Sequence, residues 1–178
     1  MDSGYIVFDR DGTLIKHIPY LHKIEEVELF SDTIKSIKLL KKNGFKFFLH
    51  TYQSGISRKK FKSCDAISCN KKLLNLIGLG NNLFEEICIA EDYPAKKNSY
   101  RKPSPRFGFE IIKKYKIDKQ KLFYVGDSIS DMETAVNIGC QYFGVNTGLK
   151  DLNLTYNKSL KFDVSKNLFE VANKIINT

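Results

Sequence analysis

Short apolar runs alternate along the chain with stretches whose apolar residues recur at helical spacing. Tyr5-Ile6-Val7-Phe8 is the first run, and its unbroken apolar character predicts a strand covered on both faces. Ile34, Ile37, Leu39 and Leu40 follow at helical spacing behind Ser31, a suitable N-cap, and the pattern stops at Asn43-Gly44. Phe45 to Leu49 predicts a second strand. From Ser57 the chain turns Lys-rich, with a weaker helical pattern up to Gly78, and Glu86 to Ala90 predicts a short strand. Glu91 to Lys102 is polar, contains Pro94 and predicts a loop. A helix then opens at Ser104 or Pro105 and carries Ile111, Ile112 and Tyr115. Lys121 to Val125 predicts a strand, Ser128 to Ile138 a helix stopped by Gly139, and Gln141 to Val145 another strand. The tail from Val164 to Ile176 places Leu168, Val171 and Ile175 at helical spacing.

Strands that are apolar throughout, separated by helices, define an α/β fold: a doubly wound parallel sheet with helices on both faces. No repeat and no linker breaks the pattern, so residues 1–178 are expected to form one domain. Ligands of such sheets bind beyond the carboxyl ends of the strands, and polar signatures should therefore follow the apolar runs.

Composition narrows the class. Apolar residues make up 42% of the 178, which suffices for a core and excludes a disordered chain. No apolar run approaches the roughly 18–20 residues that cross a bilayer. Met1-Asp2-Ser3-Gly4 leads straight into the first strand without the basic start and long apolar stretch of a signal peptide, so a cytoplasmic location is expected. Cys64, Cys69, Cys88 and Cys140 form no C-x-x-C pair and have no His at metal spacing, and they read as reduced, structural thiols. The sequons at Asn153 and Asn157 are then chance matches. The charge is +9, but lysine pairs are scattered and acids lie among them, which fits solvated faces better than a nucleic-acid patch. Such a surface still attracts small anions, phosphates included.

Chemistry concentrates at the strand ends. Asp9-Arg10-Asp11-Gly12-Thr13 follows the first strand directly. Alternate residues of an extended chain share a side, so Asp9 and Asp11 are expected to enter one small space with Arg10 turned aside. Two carboxylates so placed call for a cation between them or a shared proton. Gly12 permits a sharp turn. After the second strand, Thr51-Tyr52-Gln53-Ser54-Gly55-Ile56 offers a hydroxyl and turn N–H groups suited to phosphate oxygens. Lys102, in Arg101-Lys102-Pro103, precedes a helix start. Gly126-Asp127-Ser128-Ile129-Ser130-Asp131 follows the strand at Phe123 to Val125, with Asp127 at its tip and Asp131 about one helical turn on.

Ile6-Val7-Phe8-Asp9-Arg10-Asp11-Gly12-Thr13 resembles the nucleophile motif of the haloacid dehalogenase-like phosphohydrolases, and the Thr51, Lys102 and Asp127 segments stand in the order of that family's other motifs. The resemblance spans roughly residues 5 to 148. It implies a Mg2+-dependent phosphatase, with Asp9 as nucleophile, Asp11 as acid and base, and Thr51 and Lys102 on the phosphate oxygens. Its implied metal ligands are the Asp9 and Asp127 carboxylates and the Asp11 backbone carbonyl, with Asp131 in a supporting role or merely part of the helix's N-terminal charge. Arg101 is the foremost candidate for the rest of the substrate; His17, Tyr20, Gln53, Ser54 and Arg58 are further ones, and His22 and His50 carry no signal of their own.

Asp9-Arg10-Asp11-Gly12-Thr13, a loop ending in Tyr20 and His22, Thr51-x-Gln53-Ser54-Gly55-Ile56-x-Arg58 and Arg101-Lys102-Pro103 together resemble, more narrowly, the branch of heptose bisphosphate phosphatases and histidinol-phosphate phosphatases, small enzymes without a large cap domain. This narrower resemblance implies a small phosphorylated metabolite as partner, most of all D-glycero-D-manno-heptose 1,7-bisphosphate, with histidinol phosphate as an alternative. The implied chain works without a membrane, as a monomer or weak homo-oligomer. Members of this branch commonly hold a zinc loop of Cys and His before Arg-Lys-Pro. Here residues 90–100 contain neither, so no zinc is expected. Tyr52 stands where the branch has Asn, and Ser128 where it has Lys. Asp9-Arg10-Asp11-Gly12-Thr13, Thr51-x-Gln53-x-Gly55-Ile56 and Arg101-Lys102-Pro103 are also similar to the phosphatase half of polynucleotide kinase phosphatases, which act on nucleic-acid 3′-phosphates, and the +9 charge lends that resemblance some support. Against a nucleic-acid substrate, aromatic and basic residues are not visibly interleaved along the chain.

Overall fold

A computed structural model of the chain describes residues 3–148 and 162–178. The sequons at Asn153 and Asn157 lie outside them. Six strands form one sheet: β1 (Gly4–Phe8), β2 (Phe45–Tyr52), β3 (Phe84–Ala90), β4 (Leu122–Gly126), β5 (Gln141–Val145) and β6 (Asp163–Ser165), in the order β3-β2-β1-β4-β5-β6. All five pairings are parallel. The helices are α1 (Thr33–Lys42), the single turn α2 (Ser54–Ser57), α3 (Ser63–Ile77), α4 (Arg106–Tyr115), α5 (Ile129–Ile138) and α6 (Leu168–Ile176).

Period-two alternation splits the central strand between two cores. Ile6 and Phe8 pack with α1, α3 and α6 through Ile37, Leu40, Leu73 and Val171. Val7 faces the other way, with Phe48 and Tyr124, onto Phe107 and Ile111 of α4 and Met132 and Ala135 of α5. Each large apolar side chain buried this way contributes roughly 1.5–3 kcal/mol, so the sheet between the two cores is a rigid platform. Register then sets the site. Phe8 pairs with both Leu49 and Val125. Asp9 and Asp127 therefore leave the sheet at one end, with Thr51 two residues beyond Leu49 in β2, beside β1 and β4, where the strand order reverses and ligands of doubly wound sheets bind.

Two local expectations give way to tertiary structure. Helix α1 starts at Thr33, and the residue before it is Asp32 rather than Ser31. The Asp32 carboxylate accepts from Phe169 N at 2.8 Å, capping the first turn of α6 instead of its own helix. Val164 belongs to β6 and not to the tail helix. A polar three-residue strand on the sheet edge has no apolar run to announce it, and α6 begins only at Leu168 behind an Asn167 cap that accepts from Glu170 N. All four cysteines are free. Among the described residues no helix is long and apolar enough to cross a membrane.

Candidate active site

Asp9 follows β1, and its N–H donates to Val125 O at 2.9 Å, which fixes it beside β4. The Lys102 ammonium reaches across from the loop before α4. It lies 2.5 Å from Asp9 Oδ1 and 2.5 Å from Asp131 Oδ1, with all three side chains buried. Asp131 is fixed by its own helix: Ser128 caps α5 and Asp131 returns the bond, its Oδ2 accepting from Ser128 N at 3.2 Å and Ser128 Oγ at 2.6 Å. Both Asp131 oxygens are thus engaged by protein donors, which suits a supporting role.

Carboxylate oxygens of Asp9, Asp127 and Asp131 lie within 4.8 Å of one another. Burial raises the Asp9 carboxyl well above the ordinary carboxylate range; Lys102 opposes this, and Asp131, Asp127 and Asp11 reinforce it. Burial works against the charge of Lys102, but Asp131 and Asp9 outweigh it and hold the ammonium well above the ordinary lysine range. The ammonium bonds Asp9 and Asp131, and Asp127 adds a third buried acid to the cluster, so negative charge is in excess. A donor set made only of oxygens suits a hard divalent cation of the magnesium type. Backbone proximity makes room for the cluster. A Cβ at Gly12, whose φ is +91°, or at Gly148 would overlap the Asp127 carboxylate. Gly12→Ala is accordingly expected to cost about 1–3 kcal/mol and to lower turnover by displacing Asp127; thermal unfolding and steady-state assays on the same preparation check both.

Asp11 stays close enough to act on the Asp9 carboxyl, and it is Arg10 that departs from the alternation. Arg10 is not turned aside: it is fully buried and folds back, donating from Nε to Asp11 Oδ2 at 3.0 Å and from Nη2 to Asp11 Oδ1 at 3.1 Å. Its Nη1 donates to Asn70 Oδ1 of α3 at 2.9 Å. Each of the two acids thus has its own basic partner, Arg10 for Asp11 and Lys102 for Asp9. Thr51 Oγ1 donates to Asp11 Oδ2 at 3.3 Å, and Gln53 Nε2 donates to Asp11 Oδ2 at 3.1 Å and Thr51 Oγ1 at 2.8 Å. Gln53 thereby orients the acid.

Asp11 opens onto a cavity of about 330 Å³ lined also by His17, Tyr20, Tyr52, Gln53, Ser54 and Phe61. Of the sequence candidates, His17, Tyr20, Gln53 and Ser54 line it. Arg101 and Arg58 are not among its lining residues: Arg101 packs on Tyr52, which lines it, and Arg58 on Tyr93, which does not. Arg101 lies 4.9 Å from the Tyr52 ring centroid and 5.5 Å from that of Tyr93, and Arg58 lies 3.4 Å from Tyr93. Lys60 sits 3.6 Å from the Tyr20 centroid. Folding therefore interleaves aromatic and basic groups that the sequence keeps apart. The same contacts hold the segment from Glu91 to Tyr100. Tyr52 OH donates to Asp92 O at 3.4 Å, Ser57 Oγ donates to Glu91 O at 2.5 Å, and Arg106 donates to Asn98 O.

His50, which carries no signal in the sequence, is fully buried beneath this site between Tyr100 and Tyr124. Its position was the available clue: a lone imidazole in an apolar strand, one residue before the motif threonine.

Comparison with known proteins places this geometry. A family model for haloacid dehalogenase-like hydrolases matches residues 15–145. The D-glycero-alpha-D-manno-heptose-1,7-bisphosphate 7-phosphatase of Photorhabdus laumondii is 32% identical, over 94% of this chain and 93% of that protein. The histidine biosynthesis bifunctional protein of Campylobacter jejuni is 30% identical over 78% of this chain, which spans only 40% of that protein's length. Among solved structures, a D,D-heptose 1,7-bisphosphate phosphatase from B. bronchiseptica, complexed with magnesium and phosphate, superposes with a TM-score of 0.88 over 98% of both chains at 23% identity. The chain belongs to the haloacid dehalogenase-like hydrolase family, in the branch that holds the heptose bisphosphate phosphatases and the phosphatase part of the bifunctional histidine biosynthesis proteins.

Proposed function

We propose that the chain hydrolyses a small phosphorylated metabolite through a phosphoryl group carried on Asp9, with Mg2+ as cofactor and a heptose bisphosphate as the leading substrate. The observation that carries this reading is the Lys102 ammonium, bonded to Asp9 at the tip of β1 and to Asp131 of α5, beside a cluster in which oxygens of Asp9, Asp127 and Asp131 lie within 4.8 Å of one another. The Asp9 and Asp127 carboxylates and the Asp11 backbone carbonyl would hold the cation. When bound, Mg2+ would offset the charge of the carboxylates and of the phosphate. Asp9 attacks phosphorus, the P–O bond to the substrate breaks, and the phosphoryl group passes to the Asp9 oxygen. Asp11, steadied by Arg10, Thr51 and Gln53, gives a proton to the departing alkoxide. It then takes a proton from the water that cleaves the acyl phosphate, which restores Asp9 and releases inorganic phosphate. Lys102 and Thr51 hold the phosphoryl oxygens while charge redistributes.

Heptose bisphosphate leads because the Photorhabdus relative matches over nearly the whole of both chains. The tyrosine faces favour a second reading. Tyr20, Tyr52 and Tyr93, each carrying a cation, form the kind of aromatic and basic surface that receives single-stranded nucleic acid. A panel of phosphate esters decides between them, assayed with and without added Mg2+ and including heptose bisphosphates, histidinol phosphate and a 3′-phosphorylated oligonucleotide. Mg2+-dependent release from heptose bisphosphate is expected. Salt-sensitive release from the oligonucleotide alone would install the second reading.

Asp11→Asn separates the two half-reactions. Turnover is expected to fall by roughly 10²–10⁴-fold, the usual worth of a positioned proton donor, with phosphoenzyme accumulating when the leaving group is a good one. Unchanged steady-state kinetics would remove Asp11 from the proton-transfer role.

A further inference from the structure

A buried imidazole has to satisfy two nitrogens away from water, and an unpaired one would be costly. His50 in β2 meets this demand with partners on two other segments. Its Nε2 lies 2.9 Å from the Tyr100 carbonyl oxygen, and its Nδ1 lies 2.9 Å from the Tyr124 hydroxyl of β4. A carbonyl can only accept, so Nε2 carries the proton. Burial and the nearby Lys102 ammonium lower the pKa of His50 to about 3, so the ring is neutral and Nδ1 accepts from Tyr124. Phe107 closes one side, its ring centroid 5.2 Å away.

Tyr100 stands two residues before Lys102. The far flank of that segment is tied as well, since Asn137 Nδ2 of α5 donates to Pro103 O at 2.9 Å. The backbone that carries Lys102 is thus pinned on both sides, to α5 by Asn137 and to the sheet by His50. We infer that His50 is a positioning residue: as the Nε2–H tautomer it holds the Tyr100 carbonyl and so sets the place from which the Lys102 ammonium reaches Asp9 and the phosphoryl group. The inference rests on the phosphatase reading, in which Lys102 steadies that group. His50 itself touches no reacting atom.

The test uses His50→Gln, His50→Asn and His50→Leu, assayed with p-nitrophenyl phosphate and Mg2+. A glutamine amide reaches about as far as Nε2 and keeps a donor for Tyr100. Asparagine reaches only the Nδ1 position, and leucine supplies neither group. Asn and Leu variants are expected to lose on the order of 100-fold in kcat, as a reacting group displaced by about 1 Å does, while the Gln variant keeps most of it. The Asn substitution repeated in a Lys102→Arg background separates positioning from mere support. The factor it costs should shrink there, whereas a purely structural role costs the same factor in both backgrounds. Nitrogen-15 NMR of the imidazole should show protonated Nε2 and bare Nδ1 without any need for turnover. Equal losses in the Gln and Asn variants, an unchanged factor beside Lys102→Arg, or an Nδ1–H signature would each overturn the inference. Wild-type protein that hydrolyses no ester would sink the phosphatase reading and this inference together, whereas an active wild type with any of those three results sinks the inference alone.

Discussion

Asp9→Asn is expected to lower turnover by on the order of 10⁴-fold or more while the fold stands. Asparagine keeps the shape of the side chain, and the backbone N–H still donates to Val125 O of β4, but the amide cannot form the bond to phosphorus. Stability should move the other way from activity. The folded-state pKa of Asp9 lies above its ordinary value, chiefly through burial. Between those two values the folded protein binds more protons than the unfolded chain, so stability falls as pH rises through that interval. The Asn variant lacks this slope. In divalent-free buffer its melting temperature at neutral pH should match or exceed that of the wild type, and the advantage should shrink as pH falls toward the ordinary carboxylate range. Opposing this is the lost Lys102 pairing, which Asp131 still half supplies. Near-normal turnover would remove Asp9 as nucleophile. A large loss of melting temperature would show that the ammonium contact outweighs the crowding of acids.

Lys102→Met should damage both properties. Lys102 is 6% exposed and its ammonium is bonded to two acids that are as deeply buried. Breaking a buried ion pair by removing one partner costs about 3–5 kcal/mol, because the other charge is left without compensation. For a chain of this length that corresponds to a fall of about 10 °C in melting temperature. Turnover should drop by roughly 10²–10³-fold, the usual effect of deleting one donor to the charge that develops at the reacting group. Added Mg2+ should recover part of the stability, since a cation among the same oxygens replaces the missing charge, but not the turnover. Denaturant unfolding with and without Mg2+ measures the first effect. A stability within about 1 kcal/mol of wild type would mean that the acids find another partner and that the bond to Lys102 is not what holds them.

The sheet, its helices and the order of its polar tips were legible because each rests on a local pattern. A strand buried on both faces is apolar throughout, and the acids and lysine stand directly beyond such runs. What escaped depends on partners far away in the chain. Asp32 looks like part of a helix start, yet its carboxylate is claimed by Phe169 N. Arg10 alternates with two aspartates and should point elsewhere. A long guanidinium can double back, and Asn70, sixty residues on, fixes it there. Tyr52 and Tyr93 meet Arg101 and Arg58 only once the loop after β3 is laid across the end of β2. His50 sits in a strand that predicts nothing but core, and only Tyr124 and Tyr100 show what its two nitrogens are for.

The segment from Glu91 to Tyr100 is held by guanidinium groups on tyrosine rings and by hydrogen bonds to its backbone. None of these contacts involves an ion that EDTA could extract. On the proposed reading, with Mg2+ among the acids and no Cys or His in residues 90–100, a chelator is expected to inhibit by removing a single ion and to be reversed on readdition without refolding.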